Sequence, residues 1–299
     1  MARRSWVRLQ PDAATRAVTR RLKAAPQAGT ECPSGGRAGT EMTATIAQVW
    51  PYPRLVAHRG AGKLAPENTL TAMRVGHAHG YRMVEFDVKL AADNVSFLLH
   101  DATLERTTSG RGRADALPWR ELSRLDAGGW HSAKYAGEPL ATLASIARWA
   151  RAHGVFCNIE IKPTPGRERE TGAAVALDAA TLWRDAEVPP LLSSFSEVAL
   201  DAARTAVPAL PRTLLVEDAL PSDWKERLAR LDCVALDIDE ALLDAHIVQR
   251  VRAAGYRVLC FTPNEAARIV ELAEWGVDSI ITDAVDHIAA DSLPPPPPL

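Results

Sequence analysis

An alternation constrains this chain more than any other feature. Between Arg54 and about Ala290, short apolar runs take turns with longer stretches of helical periodicity. Eight runs read as strands, at residues 55–58, 83–88, 156–161, 191–195, 213–216, 233–238, 258–261 and 279–282. Helical patterns fill the gaps at 142–153, 171–184, 196–207, 222–231, 242–254 and 265–275, and three of them stop at Gly154, Gly255 and Gly276. Glycine past the last turn is a common helix terminator, because it adopts the left-handed conformation at no steric cost. Strands separated by helices pair in parallel, and eight such units close most simply into a TIM (β/α)8 barrel. The alternative, an open doubly wound sheet, calls for a GxGxxG loop after the first strand, and the chain has none there.

One segment breaks the alternation. After the second strand comes Ala91-Ala92-Asp93-Asn94, then an apolar run at 95–100 with no helix before it. A two-residue turn at Asp93-Asn94 makes this a hairpin and sets His100 opposite Asp87. Residues 101–140 then form a glycine-dotted insertion after strand 2, and long excursions inside compact domains usually serve function.

Length and composition bound the rest. The chain has 299 residues, and its folded part, 51–290, matches one barrel. A net charge of −2 gives no broad basic field for nucleic acid or an anionic membrane. No apolar run approaches the roughly 20 residues of a membrane span, so stable membrane insertion is not expected. Residues 1–50 read as a disordered extension. The first 41 are arginine-rich and lack the apolar core of a secretory signal, which points to the cytoplasm. They read as an unstructured lead-in or as a start placed too early, with Met42 the true one, ahead of a transit peptide. Residues 291–299 form a proline-rich tail that can join no helix or sheet ladder. Cys32, Cys157, Cys233 and Cys260 lie far apart in sequence, and the last three sit in strand-like runs. They read as small core residues in a reducing compartment rather than a disulfide pair.

Barrel enzymes carry their chemistry at the C-terminal ends of strands. The first strand ends in His58-Arg59-Gly60. The second bears Glu85 and Asp87 two residues apart, hence on one face; the hairpin ends in His100-Asp101; and the next strand bears Glu160 and Lys162. Singly, each carboxylate could belong to a structural ion pair. Three converging on one mouth repel one another unless a divalent cation offsets them, and an all-oxygen set suits Mg²⁺ or Ca²⁺ better than zinc. Glu85, Asp87 and Glu160 are therefore expected metal ligands. His58 and His100 suit proton transfer near neutral pH, and Arg59 and Lys162 suit phosphate oxygens. His77, His79, His131, His153, His246 and His287 have no carboxylate cluster nearby in sequence and read as structural.

Taken in order, His58-Arg59-Gly60, Pro66-Glu67-Asn68-Thr69, Glu85-x-Asp87, His100-Asp101, Thr103-Leu104-x-Arg106-Thr107-Thr108, Glu160-Ile161-Lys162, Ser193-Ser194-Phe195 and Ile281-Thr282-Asp283 resemble the glycerophosphodiester phosphodiesterase family. The resemblance spans about Leu55 to Ile288. It implies hydrolysis of a small glycerophosphodiester to glycerol 3-phosphate and an alcohol. It implies His58 and His100 as the acid/base pair, Glu85, Asp87 and Glu160 around a divalent cation, and Arg59 and Lys162 on the phosphate. Glu67 and Asn68 would open the first helix, with an orienting role for Glu67 the lesser alternative. Two departures touch the pocket edge and bear on substrate preference. Phe261-Thr262-Pro263-Asn264 stands where the family has an aromatic-Thr-Val-Asn run starting with tryptophan, leaving Phe261 as a pocket wall, and Ala141-Thr142-Leu143 stands for Pro-Thr-Leu. The competing readings are a lysophospholipase D or phospholipase C-like barrel acting on lipid, and a catalytically dead phosphoester sensor. All seven expected groups are present, which argues against the last.

Overall fold

Alternation within each strand decides which way its residues face. In the strand Phe156–Ile161, Cys157, Ile159 and Ile161 belong to the large apolar cluster shared with the helices. Asn158 and Glu160 alternate with them and therefore face the barrel axis. The computed structural model describes residues 46–299. It contains β1 (Leu55–Ala57), α1 (Leu70–Ala78), β2 (Met83–Leu90), β3 (Ser96–Leu98), α2 (Trp119–Leu122), α3 (Leu143–His153), β4 (Phe156–Ile161), α4 (Glu168–Leu182) and β5 (Leu191–Ser194). There follow α5 (Glu197–Ala206), β6 (Arg212–Val216), α6 (Trp224–Leu231), β7 (Ala235–Asp239), α7 (Ala245–Ala253), β8 (Arg257–Phe261), α8 (Ala266–Trp275) and β9 (Ser279–Thr282). Strands β1, β2 and β4 to β9 pair in parallel, and β1 also pairs with β2, closing an eight-stranded TIM barrel with helices between the strands.

Two apolar layers hold it. Outward residues such as Phe86, Ile159, Leu192, Leu236 and Cys260 pack against the helices. Inward residues Val56, Met83, Leu191, Ala235 and Leu259 join Ile46, Trp50 and Tyr52 in a second cluster that plugs the N-terminal end. The Trp50 indole N–H donates to Ser279 Oγ at 2.9 Å, and the Tyr52 hydroxyl to the Pro189 carbonyl at 3.0 Å. Residues 46–50, grouped with the extension by composition, thus belong to the barrel, because two of them are large apolar side chains that fill its base. The remaining expectations for the extension, and Cys32, lie outside the described residues. Cys157, Cys233 and Cys260 are buried and unpaired. No helix among the described residues is long and apolar enough to cross a membrane.

The helices follow their local signals. Thr142 caps α3 by accepting from the Ser145 N–H, and Gly154 ends it at φ 64°. The first helix begins later than its Pro66-Glu67 opening suggests: Thr69 is the cap, and Asn68 stands before it at φ 60°. Positions 242–254 split into a 3₁₀ turn at Glu240–Leu242 and α7, because Asp244 caps a fresh helix by accepting from the Ile247 N–H.

The β2–β3 hairpin differs from expectation by one residue. Val88 pairs with Leu98, Lys89 with Phe97 and Leu90 with Ser96. Asn94 takes a left-handed φ of 62°, and the Ala91 N–H bonds to the Val95 carbonyl. The loop therefore holds three residues, not two. Leu99, rather than His100, stands beside Asp87, its N–H reaching the Asp87 carbonyl at 3.2 Å. The insertion then leaves the hairpin and buries Leu104 and Leu122 with Phe97 in a small core of its own.

Candidate active site

The first strand delivers two groups through one unusual turn. Arg59 sits at φ 49°, a left-handed conformation that costs any residue with a Cβ energy and concentrates at functional sites. The turn aims the Arg59 N–H at Glu85 Oε2, 3.0 Å away. It is packed tightly: a Cβ on Gly62 would lie 2.1 Å from the Asp283 carbonyl oxygen, so only glycine lets this turn meet the end of β9. That approach places Asp283 Oδ1 2.7 Å from His58 Nδ1. Asn264 supports Asp283 by accepting its N–H at 2.8 Å.

His100 has a matching partner. Its Nδ1 lies 2.7 Å from Asp101 Oδ1. A carboxylate only accepts, so each imidazole carries its proton on Nδ1 and leaves Nε2 to the cavity. Both histidines line a cavity of about 170 Å³ at the C-terminal mouth, together with Arg59, Glu85, Glu160, Lys162 and Phe261.

Oxygens of Glu85, Asp87 and Glu160 lie within 4.8 Å of one another between these histidines. Asp87 is held by Asn68, whose Nδ2 donates to Oδ2 at 2.7 Å and whose Oδ1 accepts the Asp87 N–H at 3.0 Å. Lys162 Nζ stands 2.8 Å from Glu160 Oε1. Arg59 bonds Glu67 at 2.8 Å and approaches Asp87 at 3.6 Å. Glu67 is therefore not a helix opener but an acceptor that orients Arg59.

These cations do not balance the acids evenly. Burial, then Asp87, pushes Glu85 up to about 7. Burial and Asp87 also carry Glu160 well above the carboxylate range. Burial pushes Asp87 the same way, but Arg59, His100, Lys162 and the Asn68 hydrogen bond outweigh it and hold it below its ordinary value. An undercompensated cluster of oxygen donors fits a hard divalent cation. Burial lowers His58 too, yet the Asp283 hydrogen bond and Glu85 leave it raised. At His100 burial prevails and the imidazole is lowered.

The model of the glycerophosphoryl diester phosphodiesterase family matches residues 58–287. The chain belongs to this family. A glycerophosphodiester phosphodiesterase of Caldanaerobacter subterraneus subsp. tengcongensis is 30% identical over 229 residues, 77% of this chain and 93% of that protein. A phosphodiesterase of Oleispira antarctica, solved in complex with the product sn-glycerol-3-phosphate, is 37% identical with a TM-score of 0.75, covering 81% of this chain and 98% of that one. The structure of a glycerophosphodiester phosphodiesterase from Agrobacterium tumefaciens is 27% identical with a TM-score of 0.66, covering 80% of this chain and 99% of its own.

In this member of the family, all seven expected groups and Phe261 line or border one mouth. Phe261 meets Phe195 edge-on at 5.8 Å. Sequence reasoning missed the positioning partners: Asp283, Asn68 and Asn264 lie far from the groups they hold. It also missed Lys89, buried in β2, which donates to the His100 carbonyl at 3.0 Å and is pulled down to about 8 by burial. Five more polar residues line the cavity, Asn158, Ser193, Glu217, Asp237 and Thr262. A polar side chain at an inward position of an otherwise apolar strand was the signal that could have found Asn158 and Asp237.

Proposed function

We propose that this chain hydrolyses glycerophosphodiesters to glycerol 3-phosphate and an alcohol, with Glu85, Asp87 and Glu160 holding Mg²⁺ or Ca²⁺. One observation carries the reading: an oxygen triad within 4.8 Å, flanked by two imidazoles that are each anchored through Nδ1 at 2.7 Å by a carboxylate. A cation held by Glu85, Asp87 and Glu160 would offset the triad's charge and supply Lewis-acid stabilisation for a phosphate group. Arg59 and Lys162 clamp the remaining phosphate oxygens and stabilise the charge that builds up on them. One histidine, through Nε2, takes the proton of the attacking hydroxyl, whether water or the neighbouring glycerol hydroxyl. The other gives a proton to the departing alcohol. Asp283 and Asp101 keep both rings in the tautomer this needs and favour their protonated forms in turn.

The insertion favours a small substrate over a lipid. Its Leu104 and Leu122 are buried, and Leu117, Trp119 and Leu125 pack against them, leaving Trp130 as its exposed large apolar side chain. A lipid-facing loop would turn such residues outward.

The test is an assay of the purified chain on glycerophosphocholine, reading glycerol 3-phosphate release. Activity is expected to vanish with a chelator and return with Mg²⁺ or Ca²⁺. Activity that survives chelation would refute the metal ligands, and hydrolysis of lysophosphatidylcholine alone would refute the substrate.

A further inference from the structure

Residues 61–69, between the turn after β1 and α1, form neither helix nor strand. Yet this segment carries three groups that hold the site: Gly62 packed on the Asp283 carbonyl, Glu67 bonded to Arg59 and Asn68 bonded to Asp87. A surface loop is ordinarily the more mobile part of a fold, so one that must hold a site needs fastening.

The insertion supplies the fasteners. Arg106 Nη1 donates to Glu67 Oε2 at 2.8 Å. His131 Nε2 faces the Lys63 carbonyl at 3.0 Å and therefore carries the proton, and the Tyr135 hydroxyl donates to the Leu64 carbonyl at 3.2 Å. Tyr135 also packs against a small cluster of Ala61, Ala65 and Ala72. Glu138 Oε1 accepts the Thr71 N–H at 3.1 Å. Four bonds from the insertion thus land on residues 63–71.

The Glu138 bond is the one that reaches a carboxylate of the triad. The N–H groups in the first turn of a helix have no partner within the helix. In α1, Thr69 takes that of Ala72 and Glu138 takes that of Thr71, where the helix dipole favours a negative charge. Asn68 directly precedes the Thr69 cap and is 3% exposed, and its N–H donates to the Arg59 carbonyl at 3.1 Å. The start of α1 and the side chain that bonds Asp87 twice are therefore joined rigidly. Glu138 is braced in turn. Its N–H donates to the Tyr135 carbonyl at 3.0 Å, and its carbonyl accepts the Ala127 N–H at 2.7 Å. A Cβ on Gly128 would lie 1.9 Å from the Tyr135 carbonyl oxygen, so only glycine lets this turn close behind Glu138.

We infer that Glu138 is a positioning residue: by capping α1 it fixes Asn68, and through Asn68 it sets the Asp87 carboxylate for the cation. This rests on the metal reading above and adds a route by which the insertion governs how tightly that cation is held.

Cation affinity tests this apart from turnover. Dissociation constants for Mg²⁺ and Ca²⁺ are measured by calorimetry on the full chain, and amide hydrogen exchange is followed in chelator. Glu138→Ala is expected to weaken cation binding by about 10-fold, the lower end of what the loss of a ligand's own partner does. It should speed exchange across residues 61–71 and lower kcat on glycerophosphocholine with KM little moved. Glu138→Gln keeps an acceptor oxygen and should restore most of both. Glu138→Asp, one methylene short of the Thr71 N–H, carries the same readouts should Glu138→Ala not fold. A lower Tm with cation affinity and kcat unchanged would overturn the positioning role, and so would Glu138→Gln as impaired as Glu138→Ala. A parent that binds neither cation overturns the metal reading instead, and the exchange rates of residues 61–71 then decide for or against the Glu138 clasp by themselves.

Discussion

At the base of the barrel Asp278 is wholly buried, yet nothing about it is unmet. Arg252 and Arg257 each donate to it at 2.7 Å, and the Val258 N–H adds a third bond at 2.8 Å. Arg257 spends its other donors on the carbonyls of Ala47, Gln48 and Pro297. At the mouth, Glu85, Asp87 and Glu160 are also buried but share two nearby cations, and two of the three are pushed far up. The base uses buried charge to fasten the N-terminal segment and the proline tail to the barrel. The mouth keeps its charge undercompensated, which is costly for the fold alone and useful only when a cation and a phosphate arrive. Proteins commonly accept such local cost at the sites where they act.

Five substitutions would break or sharpen this contrast. The largest effect is expected at the mouth on rate alone: His58→Ala or His100→Ala should lower kcat by about 10²–10⁴-fold with Tm little changed. Near-normal turnover in both would end the acid/base assignment. At the base the balance reverses. Asp278→Ala strands two buried guanidinium groups and should cost about 3–5 kcal/mol in denaturant unfolding, while the folded fraction keeps its kcat.

Glu85→Gln probes the cost of the mouth directly. A carboxyl whose folded pKa stands near 7, above its ordinary 4.5, destabilises the fold wherever pH exceeds that lower value, and fully so above 7. In chelator, the variant should therefore melt higher than its parent at pH 8, by an equivalent of about 1–3 kcal/mol. The gap should close as pH falls through 7 toward 4.5. A variant that melts lower at pH 8 would mean that the charge is already balanced.

Arg106→Met should have the smallest effect. Arg106 joins Asp101 at 2.6 Å to Glu67 at 2.8 Å, linking the partner of His100 to the partner of Arg59. It is half exposed, so its loss should cost less than about 1 kcal/mol of stability. Through misplacement of His100 and Arg59 it should still slow turnover by about 10–100-fold. Unchanged kinetics would reduce this arch to a surface ion pair.

Much of this was legible in the chain. The strands at 83, 156, 258 and 279 announce themselves through apolar runs, and Glu85-x-Asp87 must share a face because a strand repeats every two residues. Local signals failed where two structures differ by little in local energy. Asp93-Asn94 suits a two-residue turn as well as the three-residue loop that forms, and the choice moved His100 by one place. Glu67, read as a helix opener, became the acceptor of two arginines because the loop carrying Arg106 folds over it.

By itself, then, the sequence determined the barrel, the family and the inventory of charged groups at the mouth, since each is encoded in periodicity or in adjacent residues. Only the tertiary structure decided who holds whom. His58 meets Asp283 across 225 positions and Asp87 meets Asn68 across 19. Asn158, Ser193 and Asp237 line one cavity because the barrel closes. Pairings of that kind depend on strand order and register, which no stretch of neighbouring residues specifies.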